Sequence, residues 1–446
     1  MIQRPHQVVG TSWLRGVEHG LLADPPRTGK TNQLLLAAEG RTLVVAPPSL
    51  EGTWWEQHEM WTPDLDMTFV GYNSVARRVA NEQGRMLKTA GVPRPELKGH
   101  WDTVICDESH LLTNPKAKWT MAISALERDR LYLATGTPIT NWASEMLVTL
   151  RLLMPGDRRF TNKANWLKRW FKMRPGFSGR PEVYVPRNDP NHGLLDRWTW
   201  ADFWAGNSMD GEHGRMLQRD VDLGVPFTEQ TIECPMVPEQ AKLYKELKAD
   251  YLAWLPDGTE VSAWSGGGLH TKLHRVSTGL ESLGAGAVGS GKLRVVREQL
   301  EANPQSTLLF CQYRDTARAL ARLVEEVGLS VGLIHGGVAQ PERDRLRVEF
   351  QAGRIQVLAC TLSTVSMGLA FDQASTEIFV EHSWSPWRND QALKRAMVQG
   401  KTSHVHVLHL WTPKSVDAGM RRDMATKTEH QIKALSAREF RYLLDG

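Results

Sequence analysis

Twice along this chain, short and largely apolar runs alternate with stretches of helical periodicity, and no other feature limits its possible folds as much. The first block holds Thr42–Ala46, Thr103–Cys106 and Arg130–Ala134; the second holds Leu308–Cys311, Val331–Ile334, Gln356–Cys360 and Glu377–Val380. Runs of this length and apolarity fit strands buried on both faces, as in parallel sheets. Between them Leu320, Leu323, Val324 and Val327 recur at i, i+3, i+4, i+7, the apolar stripe of a helix laid on a sheet. Strand–helix alternation of this kind predicts parallel sheets covered by helices. At 446 residues the chain exceeds one ordinary domain, so two blocks imply two α/β domains.

From about Pro155 to Ser290 the alternation breaks down. Residues 158–200 carry ten Lys/Arg against three Asp/Glu, with Trp166, Trp170, Trp198 and Trp200 interleaved. Such a segment serves either as a basic, aromatic surface for nucleic acid or as a small helical subdomain packed on its tryptophans. Ser265–Gly268 and Gly284–Gly289 have linker composition. The second matches G-x-G-x-x-G, but no strand leads into it and Glu301 falls at a helix end, so a hinge is expected there.

The net charge of +4 suits a nucleic-acid partner without establishing one. Cys106, Cys234, Cys311 and Cys360 have no Cys-x-x-Cys spacing, and buried thiols are expected. Residues 1–10 lack an apolar signal core, and no apolar run approaches the ~20 residues of a membrane span, so a cytoplasmic protein without membrane attachment is expected. His404, His406 and His409 alternate with apolar residues, as on an edge or half-buried strand, and no structural zinc is expected. The charged stretch from Val416 to Leu444 reads as helical and is expected to pack on the second domain.

Chemistry concentrates at two places in the first block. Leu21 to Thr31 ends in Gly29-Lys30-Thr31 and runs into an apolar helix, Gln33–Ala38. A phosphate loop needs a small residue so that backbone amides face the phosphates, a lysine for the β/γ charge and a hydroxyl for Mg²⁺. The first glycine of the usual pattern is replaced by Asp24. Further on, the strand Thr103–Cys106 runs into Asp107-Glu108-Ser109-His110. A phosphate-loop NTPase needs such a pair: Asp107 would hold Mg²⁺ and Glu108 would orient the attacking water. Either motif alone has a bland reading, but together and in this order they point to ATP.

Asp107-Glu108-Ser109-His110, with Asn114, resembles the Asp-Glu-x-His motif of superfamily 2 helicases, in their Swi/Snf-type branch. The strand ending Leu133-Ala-Thr-Gly-Thr-Pro-Ile-Thr-Asn141 is similar to that branch's Thr-Gly-Thr-Pro-Ile-x-Asn motif. Val44–Leu50 with Trp54, Glu56 and Trp61 looks like motif Ia, and Arg4-Pro-His-Gln7 with Trp13-Leu14 looks like the adenine-reading glutamine segment. Met216–Val221, Glu233–Gln240 and Leu243-Tyr244 resemble the bridge between motor domains, and Ser290–Leu293 the entry to the second. Leu309–Tyr313 corresponds to motif IV, Ser363-Thr364 with Gly368-Leu369 to motif V, and Asp390–Ala392 with Arg395 to motif VI.

This resemblance implies two tandem RecA-like parallel-sheet domains with a helical insertion between them: residues 1–155, 156–289 and 290–446. It implies ATP and Mg as cofactors, ATP lying in the cleft between the domains. Gln7, Arg27, Thr28, Gly29, Lys30, Thr31 and Gln391 would bind the nucleotide, with Thr31 and Asp107 on Mg²⁺. Lys30, Asp107, Glu108 and Arg395 would carry catalysis. His110, Thr135, Gly136 and Thr137 would couple hydrolysis to movement. Pro47, Ser49, Thr137, Gln312, Ser363 and Thr364 would meet DNA, duplex in preference to single strands, through its phosphate backbone. The activity implied is a DNA-dependent ATPase that translocates along or remodels DNA.

Three positions depart from the family pattern. Arg27 replaces the first glycine of Gly-x-Gly-Lys-Thr, and Met367 and Ala370 stand where motif V has glycine. In motif VI, Val398 takes the place of the second arginine, the finger that neutralises the transferring phosphate. Lys394, Lys401 and Arg388 are the neighbouring cations that could substitute. A non-hydrolysing ATP- or DNA-binding scaffold is the alternative these departures leave open.

Overall fold

The computed structural model describes residues 2–76, 91–140, 143–158, 160–175, 181–186, 215–217, 224–255, 259–262, 266–283, 289–365, 371–398 and 400–435. The chain divides into two compact units, Met1–Val221 with Lys427–Gly446, and Asp222–Thr426. The last part of the helix Val416–Leu435 therefore groups with the first unit, where the sequence suggested the second.

In the first unit the strands are β1 (His19–Leu22), β2 (Thr42–Ala46), β3 (Met67–Gly71), β4 (His100–Asp107), β5 (Glu127–Ala134), β6 (Phe171–Pro175), β7 (Pro181–Pro186) and β8 (Arg215–Leu217). Six of them form one sheet in the order β3-β2-β4-β5-β1-β8, every neighbour parallel. Side-chain alternation divides its core. Leu21, Leu43, Val45, Val104, Cys106, Leu131 and Leu133 fill one face, while Leu22, Val44, Ala46, Ile105, Tyr132 and Ala134 fill the other. With both faces of the sheet covered, the strands read as continuous apolar runs. β6 and β7 pair antiparallel as a separate hairpin.

The second unit repeats the plan with β9 (Phe227–Glu233), β10 (Leu252–Trp254), β11 (Glu260–Ser262), β12 (Thr307–Cys311), β13 (Val331–Ile334), β14 (Val357–Thr361), β15 (Thr376–Phe379) and β16 (Val405–Trp411). Its parallel sheet runs β13-β14-β12-β15-β16-β9. Two successive α/β units, each built on a six-stranded parallel sheet, are the architecture. β16 is not an edge strand, since β9 covers its free side; His406 is exposed and pairs with Thr228, while His409 is half-buried.

The intervening segment is more than helix and linker. β8 extends the first sheet and β9 the second, and Gly266–Gly268 open the helix Gly266–Thr278. Trp166 is buried in the first core and meets Phe160 edge-on at 5.5 Å, which supports packing for that tryptophan. Trp198, Trp200 and Gly284–Val288 lie outside the described residues, as do the side chains of Lys168, Arg169 and Trp170. All four cysteines are free and buried. Among the described residues no helix is long and apolar enough to cross a membrane.

Candidate functional site

Parallel strands deliver their following loops to one edge of the sheet, and ligands of such sheets gather at that carboxyl edge. In the first unit Leu22 pairs with Ala134, Asp107 with Ala134, and Val45 with Cys106, so the loops after β1, β2, β4 and β5 open side by side. These loops carry the predicted residues.

The loop after β1 reaches the helix Lys30–Ala37 through Gly29, whose φ of 76° is left-handed. A Cβ at Gly29 would stand 2.3 Å from Gln7 Nε2, so glycine alone lets the loop close here. Gln7 Nε2 donates to the Thr28 carbonyl at 3.1 Å, and Gln7 Oε1 accepts from the Arg4 amide at 3.0 Å. The glutamine thus ties the first helix to the loop. The Thr28 hydroxyl donates to the Pro25 carbonyl, and Lys30 Nζ donates to the carbonyls of Asp24 and Pro25, both at 3.0 Å. Arg27 is half-buried with φ 70°, and Thr31 lies in the first turn of the helix. A helix start with two cations and a glycine turn suits a polyphosphate.

Asp107 ends β4 and is held at three atoms. Its Oδ1 accepts from the Glu108 amide at 2.8 Å, its Oδ2 from Trp54 Nε1 at 3.2 Å, and its carbonyl from the Tyr72 hydroxyl at 2.7 Å. Burial, then the Glu108 charge, push the Asp107 carboxyl up to about 6, against the opposing charge of Lys30 and the hydrogen bonds from the Glu108 amide and Trp54. A hard cation would supply the charge this buried carboxylate lacks, and the Thr31 hydroxyl and Asp107 carboxylate are donors of the kind Mg²⁺ takes. Residues and cofactor fit.

Glu108 follows with φ 50°, left-handed. For a residue with a Cβ that conformation costs roughly 1–2 kcal/mol, and such positions cluster at functional sites. Its Oε2 lies 3.2 Å from His110 Nδ1, which lies 3.0 Å from the Thr135 hydroxyl; that oxygen accepts from the Thr137 amide at 3.1 Å. Gly136 packs on Pro26 of the phosphate loop, where a Cβ would approach Pro26 Cδ to 2.7 Å. Pro47 and Ser49 stand at the same edge after β2, in and beside the 3₁₀ turn Pro48–Leu50, Pro47 buried and Ser49 half-buried.

The second unit brings its own residues to the carboxyl edge of its sheet. Gln312 follows β12, and its amide and that of Tyr313 donate to Glu381 Oε2 at 2.7 and 3.2 Å, while Thr316 donates to Oε1 at 2.8 Å. Buried Glu381 thereby fixes the turn into the helix Arg314–Glu326. Ser363 is exposed after β14, whereas the Thr364 hydroxyl is buried against that of Thr361 at 2.9 Å. Gln391 and Arg395 are both buried, with Arg395 Nη2 donating to Gln391 Oε1 at 3.3 Å. Met367, Gly368, Leu369 and Ala370 lie outside the described residues.

Around Val398 the cations are unequally placed. Lys394 pairs with Asp390 at 2.8 Å. Lys401 Nζ donates to the carbonyls of Asp372, Ala374 and Ala396. Arg388 lies 5.4 Å over the Trp387 ring, and burial pulls its pKa down. Trp54 stood out in the sequence only through the motif Ia resemblance, with no tie to Asp107, and Tyr72 and Glu381 did not stand out at all. An acidic residue directly after a strand could have signalled Glu381; nothing local signals the other two.

Residues 6–182 match the SNF2-related domain model, and residues 291–400 match the helicase conserved C-terminal domain model. The chain is 24% identical to the ATP-dependent DNA helicase DDM1 of Arabidopsis thaliana, over 96% of this chain and 62% of that protein. It is 25% identical to the putative ATP-dependent helicase/translocase YwqA of Bacillus subtilis, over 91% of this chain and 45% of that protein. With the SWI/SNF chromatin-remodeling complex subunit snf22 of Schizosaccharomyces pombe the identity is 23%, over 98% of this chain and 28% of the relative. The chain thus spans between 28% and 62% of the length of these relatives. Among solved structures it matches the Sulfolobus solfataricus SWI2/SNF2 ATPase core in complex with dsDNA, at 20% identity over 98% of this chain and 94% of that one. The TM-score there is 0.40.

Proposed function

Because the chain belongs to the Swi/Snf-type branch of superfamily 2 helicases, we propose that it is a DNA-dependent ATPase that translocates along or remodels duplex DNA. One observation carries this reading: Lys30, Asp107 and Glu108 share the carboxyl edge of one parallel sheet, with Asp107 held at both carboxylate oxygens and Glu108 linked through His110 to Thr135.

In this reading the loop Arg27–Thr31 cradles the phosphates of ATP, Lys30 meets the β/γ charge, and Thr31 and Asp107 hold Mg²⁺. Bound Mg²⁺ neutralises charge on the phosphate oxygens. Glu108 accepts the proton of the attacking water. Thr135, Gly136 and Thr137 join that carboxylate to the phosphate loop and to the end of β5, so a change at Glu108 is felt at both. The motif resemblance assigns Gln391 and Arg395 of the second unit to the same nucleotide, and Pro47, Ser49, Thr137, Gln312, Ser363 and Thr364 to DNA phosphates.

A second reading, a scaffold that binds ATP and DNA without turnover, draws on Val398 and on the commitment of Lys394 and Lys401 to other partners. The deciding experiment measures ATP turnover without nucleic acid and with single-stranded DNA, duplex DNA and RNA. The motor reading requires stimulation that is greatest with duplex DNA. Binding of ATP and duplex DNA with no turnover selects the scaffold; no ATP binding overturns both.

A further inference from the structure

Trp54 is buried in the helix Glu51–Trp61, 53 residues before the carboxylate it touches. An indole N–H can only donate, and this one donates to Asp107 Oδ2 at 3.2 Å in a buried setting. Asp107 Oδ1 is meanwhile taken by the amide of Glu108 at 2.8 Å. One donor on each oxygen fixes the carboxylate plane and leaves each oxygen a further lone pair for a cation or its water. The Tyr72 hydroxyl fixes the main chain beneath, at the Asp107 carbonyl. Another indole N–H on the same helix, that of Trp61, donates to Gln57 at 3.1 Å.

We propose that Trp54 is a positioning residue for Mg²⁺: its indole N–H orients the Asp107 carboxylate toward the cation. The proposal rests on the reading of Asp107 as a Mg²⁺ ligand. Partners that orient a metal ligand change metal affinity or activity by about 10–100-fold when removed. The helix bearing Trp54 also begins directly after the turn that carries Ser49, so the indole partner of the metal carboxylate follows a candidate DNA contact closely in the chain.

The test measures ATP affinity of the full chain in Mg²⁺ and in EDTA, for wild type, Trp54→Phe and Trp61→Phe. The ratio of the two affinities reports the cation, and it needs no turnover. Trp54→Phe should reduce that ratio about tenfold, with its affinity in EDTA unchanged; Trp61→Phe should match wild type. Should Trp54→Phe be destabilised, the same substitution is made in an Asp107→Asn background, where it should change the ratio no further. An unchanged ratio in Trp54→Phe, or an equal loss in the Asp107→Asn background, overturns the proposal. A wild type that binds no ATP would instead overturn the reading on which it rests.

Discussion

Nδ1 of His110 lies 3.0 Å from the hydroxyl of Thr135, joining the ends of two adjacent strands, β4 and β5, through side chains that are both buried. The same nitrogen is 3.2 Å from Glu108 Oε2, so the carboxylate expected to handle water and the segment Thr135–Thr137 share one histidine. Thr135→Val keeps the shape and removes the hydroxyl. We expect it to lower DNA-stimulated turnover more than basal turnover, and to cost about 0.5–1.5 kcal/mol of stability for each hydrogen bond lost, to His110 and to the Thr137 amide. Turnover with and without DNA checks this; equal loss in both would show that the link does not couple.

Lys30→Ala should abolish hydrolysis in a folded protein. Glu108→Gln should behave differently, keeping ATP affinity while turnover falls by about 10²–10⁴-fold. Nucleotide binding and turnover measured on the same preparations separate the two. If Glu108→Gln loses binding as well, the division of labour between Asp107 and Glu108 is wrong.

Contacts to phosphates make affinity for DNA fall with salt, with a slope of log K against log salt that counts the phosphates neutralised. Affinity should depend little on base sequence. Replacing Lys168, Arg169 and Lys172 together should flatten the slope if the basic segment takes part. An unchanged slope assigns those residues to packing or solvent.

Val398 cannot neutralise a transferring phosphate, and Lys394 and Lys401 are tied to other groups. Val398→Arg should therefore raise DNA-stimulated turnover, by up to about 10³-fold if no other cation has taken the role. Arg395→Ala should lower turnover without a comparable loss of ATP affinity. Silence in both variants would discard the alignment of this motif.

Stability of the second unit should depend on a buried pair. Lys292 Nζ lies 2.6 Å from Asp417 Oδ2, both side chains almost wholly buried, with Ser277 and the Thr412 amide donating to the same carboxylate. Burial opposes the Asp417 charge, but Lys292, then His274, and the hydrogen bonds from Lys292 and the Thr412 amide outweigh it and hold the pKa below its ordinary value. A depressed carboxylate stabilises above its unfolded pKa, near 3.9, and that stability is lost as pH falls through the lower folded value. Asp417→Asn should cost about 3–5 kcal/mol at neutral pH by leaving Lys292 buried without its counter-charge. Denaturant unfolding should show the gap narrowing below pH ~4; a gap independent of pH would mean that packing, not charge, is lost.

The sequence by itself determined the two parallel sheets and the order of the candidate residues. Strands buried on both faces must be apolar at nearly every position, so Thr42–Ala46 and Leu308–Cys311 announce themselves locally. Lys30 was legible from Gly29-Lys30-Thr31 running into an apolar helix, and Asp107 and Glu108 because they directly follow an apolar strand. β1, only four residues long, and β8, only three, carry too little pattern to be read. What only the tertiary structure decided are contacts between residues far apart in the chain. Trp54 on Asp107, Gly136 against Pro26, and Lys401 over the Asp372 and Ala374 carbonyls have no local signature. A hydrogen bond depends on where two elements meet once both faces of a sheet are covered, and no periodicity along the chain encodes that distance.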